Sequence, residues 1–383
     1  MSKSIKNKKP KIGITISVTA LNTLWSNGLN QNVHSLYTII NKSQKFCVYL
    51  IVQSFSGDAS DDIKKFKLSN PNVNIAILDE TNSIKEKFDL IIEAGVVYRS
   101  IIIESIKRKS PKTKFVLVKY GNNYFMLSEE ILNDAVVRDH VIYEHPRDAV
   151  WASPHFEDTF EWIRASTRSK YIRTAPYIWT PMFLHKSISD LGLTVEDLRP
   201  TKKMNVGVLE PNINAMKTCI IPITIIDELY CKKPDILGEC SIFNSKFIIK
   251  NKVAASLFLH LKSVIDKKII FDLRYSFAKI FSSYSDILLS HQHMCGLNYT
   301  YLEALYLGIP FVHNSTYLRD TGYYYKEFSI SEGTRALESA CADGGKFSNY
   351  YKMASKEYLW KYSIDNPTNI NEYSELIEEV LSS

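Results

Sequence analysis

The sequence predicts an α/β protein with two doubly wound parallel sheets that face each other across a cleft. Apolar, β-branched runs alternate with helical patterns over the first half of its 383 residues, and the alternation restarts after residue 203. Continuous runs such as IGITI and VYLIV are typical of strands buried on both faces. A chain of this length exceeds what one hydrophobic core usually supports, so two domains are expected.

The elements of the first half follow from these runs. Strands are predicted over residues 11–18, 46–53, 73–78, 88–92, 114–119 and 141–144. Helices are predicted over residues 30–41, 60–68, 100–109, 128–136 and 155–166. The segment APYIWTP and its polar continuation then break the rhythm, as a domain boundary should.

The second half repeats the pattern with shorter elements. Strands are predicted over residues 204–209, 241–243, 268–272, 286–290 and 311–313. Helices are predicted over residues 215–230, 253–264, 276–284, the stretch after Asn298, and 370–381. The expected division is therefore an N-terminal domain over 1–178, a linker over 179–203, a second domain over 204–345, and C-terminal helices over 346–383 that pack back over the linker.

Composition says more about the cellular environment of the protein than about its activity. The formal net charge is +6, from 47 basic and 41 acidic residues, which suits a polyanion or nucleotide partner without requiring one. The six cysteines include no C-x-x-C pair, so a reduced, cytoplasmic protein without a zinc site is expected. No apolar run reaches membrane-spanning length, and the sequence predicts no membrane partner.

The most informative stretch is NYTYLEALYLGIPFVHN, residues 298–314. It predicts a helix carrying Glu303, a turn at Gly308, and a buried strand. Such a layout brings a carboxylate to the carboxyl end of a sheet, where open α/β folds bind nucleotides. Helix, glycine, proline and strand also form common punctuation in α/β chains, so a purely structural role is the alternative.

Polar loops follow the first strand of each half. In the first, Asn27 and Gly28 precede a helix whose free N–H groups would attract phosphate, although helix capping explains them equally well. In the second, Asn212 leads into a helix predicted to carry Lys217 on its first turn. Lys217 and Arg274 could neutralise a departing diphosphate, with a solvated surface role as the alternative for each.

Two residues are candidates for a general base, and three more follow later strands. Glu93 ends a predicted strand, and His155 is its rival, although either side chain could be structural. His291, His313 and Asn314 follow neighbouring strands of the second half, where hydrogen bonds to a base, sugar or phosphate are expected. A metal site is not expected, because no acidic ligand is in register and no H-x-x-x-H spacing occurs.

Several of these segments together resemble a known family. They are WSNGLNQN, IIEAG, PYIWTPMFL, LEPNINAMKTCIIP and HNSTYLRDTGYYYKEF. They are similar to a family of bacterial and phage proteins catalogued as a domain of unknown function, which looks like a GT-B glycosyltransferase family. The resemblance implies an acceptor-side first domain and a second domain that binds a nucleotide-sugar, UDP-linked by expectation, with Glu303 on the donor ribose and no obligatory cofactor.

The resemblance has one departure. The retaining GT-B pattern carries a second glutamate eight positions before the ribose glutamate, and here that position is Cys295. Retention and inversion of the sugar therefore both stay open. Inversion would need a base such as Glu93.

The resemblance also frames the acceptor. T-even-like phages place glucose or arabinose on hydroxymethylcytosine in DNA, and the basic clusters at Lys107, Arg108 and Lys109 and over 164–173 would suit duplex DNA in a host cytoplasm. The best hypothesis from sequence is such a DNA glycosyltransferase. The alternatives are a transferase of surface polysaccharide or lipopolysaccharide biosynthesis, and a non-catalytic nucleic-acid-binding protein on the same scaffold.

Overall fold

A computed structural model describes residues 9–18, 28–54, 64, 66–67, 71–79, 81–132, 145–198, 204–343 and 349–383. The chain divides into two compact units. One contains Met1–Thr180 and Tyr362–Ser383, and the other contains Pro181–Lys361. Each unit holds one sheet whose strands pair in parallel, which confirms the predicted fold class.

The first unit is built on a seven-stranded sheet. Its strands are β1 (Lys11–Val18), β2 (Cys47–Ser54), β3 (Ile75–Ile77), β4 (Leu90–Glu93), β5 (Lys114–Lys119), β6 (Ala149–Ala152) and β7 (Ile172–Thr174). They lie in the order β3-β2-β1-β4-β5-β6-β7. The register aligns Ile14 of β1 with Leu50 of β2 and Ile92 of β4, all without solvent exposure, so the apolar runs form the centre of the unit.

The second unit is built on a six-stranded sheet. Its strands are β8 (Val206–Val208), β9 (Cys240–Ile242), β10 (Ile269–Phe271), β11 (Ile287–Leu289), β12 (Phe311–His313) and β13 (Tyr323–Tyr324). They lie in the order β10-β9-β8-β11-β12-β13, so β8 and β11 are central. Strand order reverses between β8 and β11, and in folds of this kind ligands bind beside the carboxyl ends at that point.

The helices of the two units follow in chain order. They are α1 (Gly28–Lys42), α2 (Ser100–Lys109), α3 (Asn123–Leu132), α4 (Phe160–Ser166), α5 (Met182–Asp190), α6 (Ile220–Lys232), α7 (Lys252–Phe258), α8 (Lys262–Ile265), α9 (Phe277–Ser283), α10 (Tyr299–Leu307), α11 (Ile330–Ala342), α12 (Asn349–Lys361) and α13 (Pro367–Ser382). Within the described residues, no helix is long and apolar enough to cross a membrane.

The C-terminal segment is shared between the units. Helix α12 belongs to the second unit, whereas α13 returns to the first. There α13 packs beside α1, Lys45 pairs with Glu378 at 2.9 Å, and the Tyr373 hydroxyl donates to the Pro176 carbonyl at 2.8 Å. The segment 346–383 therefore differs from the single block that the sequence predicted.

Some predicted elements differ from the observed ones. The strand over 141–144 and most of the helix over 60–68 lie outside the described residues. Strands β6 and β7 were not predicted, and the last strand of this half was expected at 141–144 instead. Helix α6 begins at Ile220 rather than residue 215, because the Asn212 and Asn214 side chains accept hydrogen bonds from Cys219 N and Met216 N.

Candidate functional site

The loop after β8 is fixed by its own asparagine. Asn212 has a positive φ of 55°, which asparagine tolerates better than most residues. Its amide donates to the Glu210 carbonyl at 2.9 Å, and its side-chain oxygen accepts from Cys219 N at 2.8 Å. The observed bonds of Asn212 therefore shape the loop that carries Lys217.

Glu210 is a buried carboxylate at the carboxyl end of β8. Its Oε1 accepts a short hydrogen bond from the Ser290 hydroxyl and another from His291 N at 3.2 Å, both at the end of β11. Burial raises the pKa of Glu210 to about 7, although these bonds and the nearby charge of Lys217 oppose the rise. The switch point of this sheet thus holds an acid that titrates near neutral pH.

His291 lies beside Glu210 with one nitrogen engaged. The Tyr325 hydroxyl donates to the Ser290 carbonyl at 3.0 Å, and the same oxygen is 3.0 Å from His291 Nδ1. Because a hydroxyl has one proton, Nδ1 must donate to Tyr325 if both bonds form, which makes Nε2 an acceptor. Nε2 is buried and meets no hydrogen-bonding partner within the described residues. Burial also lowers the pKa of His291 to about 4, so the ring is neutral.

His313 and Asn314 have their polar atoms engaged inside the unit. His313 is fully buried, and its Nε2 donates to the Thr321 carbonyl at 2.9 Å while Nδ1 accepts from Ser315 N at 3.1 Å. Asn314 exchanges two bonds with the Gln292 backbone, at 2.9 and 2.7 Å. These contacts join the loops after β11 and β12, and the donor contacts that the sequence predicts for both residues stay a prediction.

Glu303 lies on α10, as the sequence predicts. Asn298 caps this helix and Gly308 ends it with a φ of 69°. Glu303 is half-buried as a residue, and its carboxylate forms no hydrogen bond or ion pair with a described residue. Burial alone raises its pKa to about 7. A buried carboxylate without a bonding partner destabilises the folded state, and groups of this kind are typical of ligand-binding sites.

The two cationic candidates differ in placement. Lys217 lies in the loop before α6, not on its first turn, and its charge acts on Glu210. The backbone of this loop is joined to the loop after β11 by the bond from His293 N to the Met216 carbonyl at 2.8 Å. Arg274 is exposed in the loop after β10, the edge strand, two positions from β8 in the sheet. Lys217 is therefore the cation beside the acidic centre.

In the first unit, Glu93 is held in a buried ion pair. Both of its carboxylate oxygens accept from Arg147, and Oε1 also accepts from Tyr98 N at 2.6 Å. Neither side chain has meaningful solvent exposure. Burial raises the pKa of Glu93, and the Arg147 guanidinium opposes that rise. With its oxygens committed, Glu93 is unsuited to the base role that the sequence predicted, and its contacts are those of a structural residue.

The other residues of the first unit that the sequence predicts for the site are His155, Gly28 and Asn27. His155 lies in the 3-10 turn Pro154–Thr159, buried, with its ring 3.9 Å from that of Phe156 and 5.6 Å from that of Tyr177. Gly28 begins α1, and a Cβ placed there would meet nothing within 4 Å. No close approach of protein atoms therefore requires glycine at this position. Asn27 lies outside the described residues.

Sequence reasoning missed Glu210, Ser290 and Tyr325 as members of one polar cluster. A signal existed, because Glu210 follows an apolar strand in the same way as Glu93. The pairing of β8 with β11 that brings Ser290 to it could not be deduced from local pattern. Among the described residues, no group of three or more histidine, cysteine, aspartate or glutamate side chains is placed to hold a metal ion.

Comparison with known proteins agrees with this architecture. The chain is similar to the N-terminal domain of Candida albicans trehalose-6-phosphate phosphatase, with 13% identity, a TM-score of 0.60, and coverage of 100% of this chain and 98% of that one. It is also similar to the lipopolysaccharide outer core galactosyltransferase WaaB, with 12% identity, a TM-score of 0.53, and coverage of 96% and 99%.

A third similar structure is S. aureus TarM in complex with fondaparinux, alpha-GlcNAc-glycerol and UDP, with 10% identity, a TM-score of 0.55, and coverage of 98% and 100%. At these identities the likeness establishes the GT-B fold and nothing finer. No curated protein sequence matches the chain. The family model described as "Protein of unknown function (DUF2827)" matches residues 12–377, and the chain therefore belongs to that family.

Proposed function

We propose that this protein is a glycosyltransferase that moves a sugar from a UDP-sugar to an acceptor hydroxyl. The observation that carries the proposal is Glu303 on α10. Burial raises the pKa of its carboxyl to about 7, and no described residue binds it. Such a carboxylate can accept hydrogen bonds from the two neighbouring hydroxyls of a ribose. The GT-B fold and the UDP in the TarM complex support the same donor class.

The cluster around Glu210 supplies the rest of the proposed donor site. Lys217 would face the diphosphate, where negative charge builds as the sugar departs. His291 Nε2, a buried acceptor, would receive a hydroxyl or N–H of the donor. Arg274 is a weaker proposal for the diphosphate because it lies beyond the edge strand.

The stereochemistry depends on whether a base exists. Glu93 is committed to Arg147, so an inverting reaction would rely on His155 or on another group. Retention by departure and attack on one face needs only stabilisation of the leaving diphosphate, which Lys217 would provide. We therefore favour retention, and the anomeric configuration of the product, read by proton NMR, decides it.

The donor experiment is a titration of the full chain with UDP, GDP, CMP and their sugars by calorimetry. We expect UDP and a UDP-sugar to bind and Glu303→Ala to weaken both at least tenfold, as loss of a charged hydrogen bond would (about 1.5–3 kcal/mol). Glu357→Gln, a change at an exposed carboxylate of α12, is the control and should bind as the wild type does. Absence of binding to every nucleotide and nucleotide-sugar would reject the proposal.

The acceptor is the finer part of the proposal. Hydroxymethylated DNA, suggested by the sequence resemblance, and a surface polysaccharide are compared by offering each with the bound donor. A mass increase of one sugar on the nucleoside establishes the first and gives the sugar's size. Transfer to polysaccharide alone selects the second. Salt-sensitive DNA binding without any transfer favours a non-catalytic binding protein on the GT-B scaffold.

A further inference from the structure

A helical stretch of the second unit is apolar on two faces. It runs through the 3-10 turn Ile248–Lys250, then α7 and α8. Successive turns are joined by backbone bonds, including Leu261 N to the Phe258 carbonyl at 3.1 Å and Ile265 N to the Leu261 carbonyl at 3.0 Å. The stretch is therefore one compact element and not a loose loop.

One face of this stretch packs against the core of the second unit. Phe258 is buried in the core of the second unit, and four partly buried side chains pack against that core: Ile248, Ala254, Leu261 and Val264. These residues account for the attachment of the stretch to the unit. A normal surface helix would present polar residues on its remaining face.

Much of the exposed part of this stretch is apolar instead, although Asn251, Ser256 and His260 are exposed as well. Five large hydrophobic side chains of this stretch are exposed: Phe247, Val253, Leu257, Leu259 and Ile265. Phe247, Val253 and Ile265 retain 70%, 75% and 62% of their accessible surface. Val253 and Leu257 are four residues apart on α7 and so lie side by side. Exposed apolar side chains concentrated in this way indicate a binding surface.

Lysines predominate along this stretch, although Asp227 of α6 also contacts it, by accepting from Ser263 N at 2.8 Å. Between residues 246 and 268 the chain has six lysines and one acid, Asp266. Asp266 is paired with Lys262. Four exposed lysines, Lys246, Lys250, Lys252 and Lys267, form no ion pair with a described residue. The Lys250 ammonium lies 5.6 Å from the Phe247 ring, so charge and apolar surface meet directly.

The partner must complement both properties. A second copy docking through the same face would bring the lysines of one copy against those of the other. A bilayer with anionic lipids offers negative headgroups to the lysines and acyl chains to the apolar side chains, in the manner of helices that lie in the membrane interface. We propose that the exposed apolar side chains 247–265 and their lysines, which we term the apolar-basic surface, dock the protein on anionic membrane surfaces.

This proposal departs from the sequence-based expectation of no membrane partner, and it does not depend on the donor site. The test is co-sedimentation of the full chain with vesicles of phosphatidylglycerol and phosphatidylcholine in equal parts, and with phosphatidylcholine alone. We expect binding to the anionic vesicles only, weakening as salt rises. Phe247→Glu with Val253→Glu should lower that binding at least tenfold. Lys250→Gln with Lys252→Gln should lower it about fivefold for each lysine.

The matched control is Ile101→Glu with Ile131→Glu, which places the same two charges on exposed isoleucines of α2 and α3 in the other unit. It should bind vesicles as the wild type does. Unfolding temperature and UDP binding should be the same in all variants, because the altered side chains are exposed. Absence of binding to anionic vesicles, or equal loss in the control, overturns the proposal. So does a dimer, seen by sedimentation velocity, that the Phe247 and Val253 changes dissociate.

Discussion

The two sheets end in buried carboxylates that local sequence does not distinguish, and they are handled in opposite ways. Glu93 ends β4 in the first unit, and Glu210 follows β8 in the second. Arg147 binds Glu93 through two nitrogens, whereas the described partners of Glu210 are the Ser290 hydroxyl, a backbone N–H and the more distant charge of Lys217. One carboxylate is a fixed structural anion, and the other is free to change its proton near neutral pH.

A position at the end of a strand is therefore not sufficient to assign a binding or catalytic role to a carboxylate. A carboxylate that is fully bonded inside its own unit has little capacity left for a ligand. A buried carboxylate without a cation partner stores an unfavourable energy that binding or protonation relieves. By this criterion we propose that a ligand binds in the second unit, beside Glu210 and Glu303, and not beside Glu93 in the first unit.

Removal of the arginine that binds Glu93 should have the strongest effect on stability. Arg147→Met leaves Glu93 buried without its cation, and we expect a loss of about 3–5 kcal/mol in the free energy of unfolding. Urea denaturation followed by circular dichroism measures it. Adding Glu93→Gln to Arg147→Met should restore part of the loss, because the carboxylate that lost its arginine is then neutral, although Lys119 stays buried nearby. If Arg147→Met is as stable as the wild type, Glu93 is not held as a structural anion.

The next effect concerns the proton on Glu210. Its pKa is about 7 when folded, against 4.5 as the ordinary value, so between these the folded state holds a proton that the unfolded state has lost. Stability therefore falls as pH rises through this window, by about 3 kcal/mol at most for this group. Glu210→Gln should flatten the fall. Glu303 contributes in the same direction, so the double variant Glu210→Gln with Glu303→Gln should flatten it further.

Urea denaturation at pH values on either side of the window measures this change, and Glu357→Gln is the control for loss of an exposed carboxylate. A slope that is unchanged in Glu210→Gln would mean that its carboxyl titrates as it does in the unfolded chain. The two carboxylates would then differ only in their hydrogen bonds and not in their protonation.

Much of the fold was accessible from sequence, because long apolar runs and helix boundaries are local signals. The strands β1, β5 and β12 and the helix α2 begin and end at the predicted residues. Strands β6 and β7 were missed because the last strand of the first half was expected at 141–144, and the pairing of β6 with β5 is not a local signal. The start of α6 was missed because asparagine side chains compete locally for the backbone N–H groups of a helix.

The site was less accessible, because its character depends on distant partners. Arg147 lies 54 residues from Glu93, and Ser290 lies 80 residues from Glu210. Nothing in IIEAG indicates that Glu93 is bound by an arginine. Likewise, nothing near His313 indicates that both ring nitrogens are used inside the unit. The role of Glu303 remains a prediction, and the fact that no described residue bonds to its carboxylate supports that prediction.

A third test separates stability from function at Glu303. Glu303→Gln should weaken UDP binding about tenfold, because an amide offers ribose one acceptor in place of two charged oxygens. The same change should leave stability at neutral pH equal or higher, since it removes an uncompensated carboxylate. Wild-type UDP affinity should also fall as pH drops through about 7, where the carboxylate gains a proton. Calorimetry over that range, with urea denaturation, measures all three.

If Glu303→Gln loses stability and affinity together, Glu303 belongs with Glu93 as a structural acid. A variant that keeps full UDP affinity removes it from the donor site altogether. After either outcome, Glu210 would be the remaining carboxylate proposed to lie beside a ligand.

The smallest expected effect is at Lys217. Removing a partly exposed cation that faces a phosphate costs on the order of 1 kcal/mol, or about fivefold in affinity. Lys217→Met should therefore weaken UDP about fivefold and leave uridine binding unchanged, because uridine has no diphosphate. The control is Lys250→Met, which removes the same charge from the apolar-basic surface. Calorimetry with both ligands distinguishes the cases. Equal losses in the two variants would show that only net charge matters, whereas a loss confined to Lys217→Met locates the diphosphate beside Glu210.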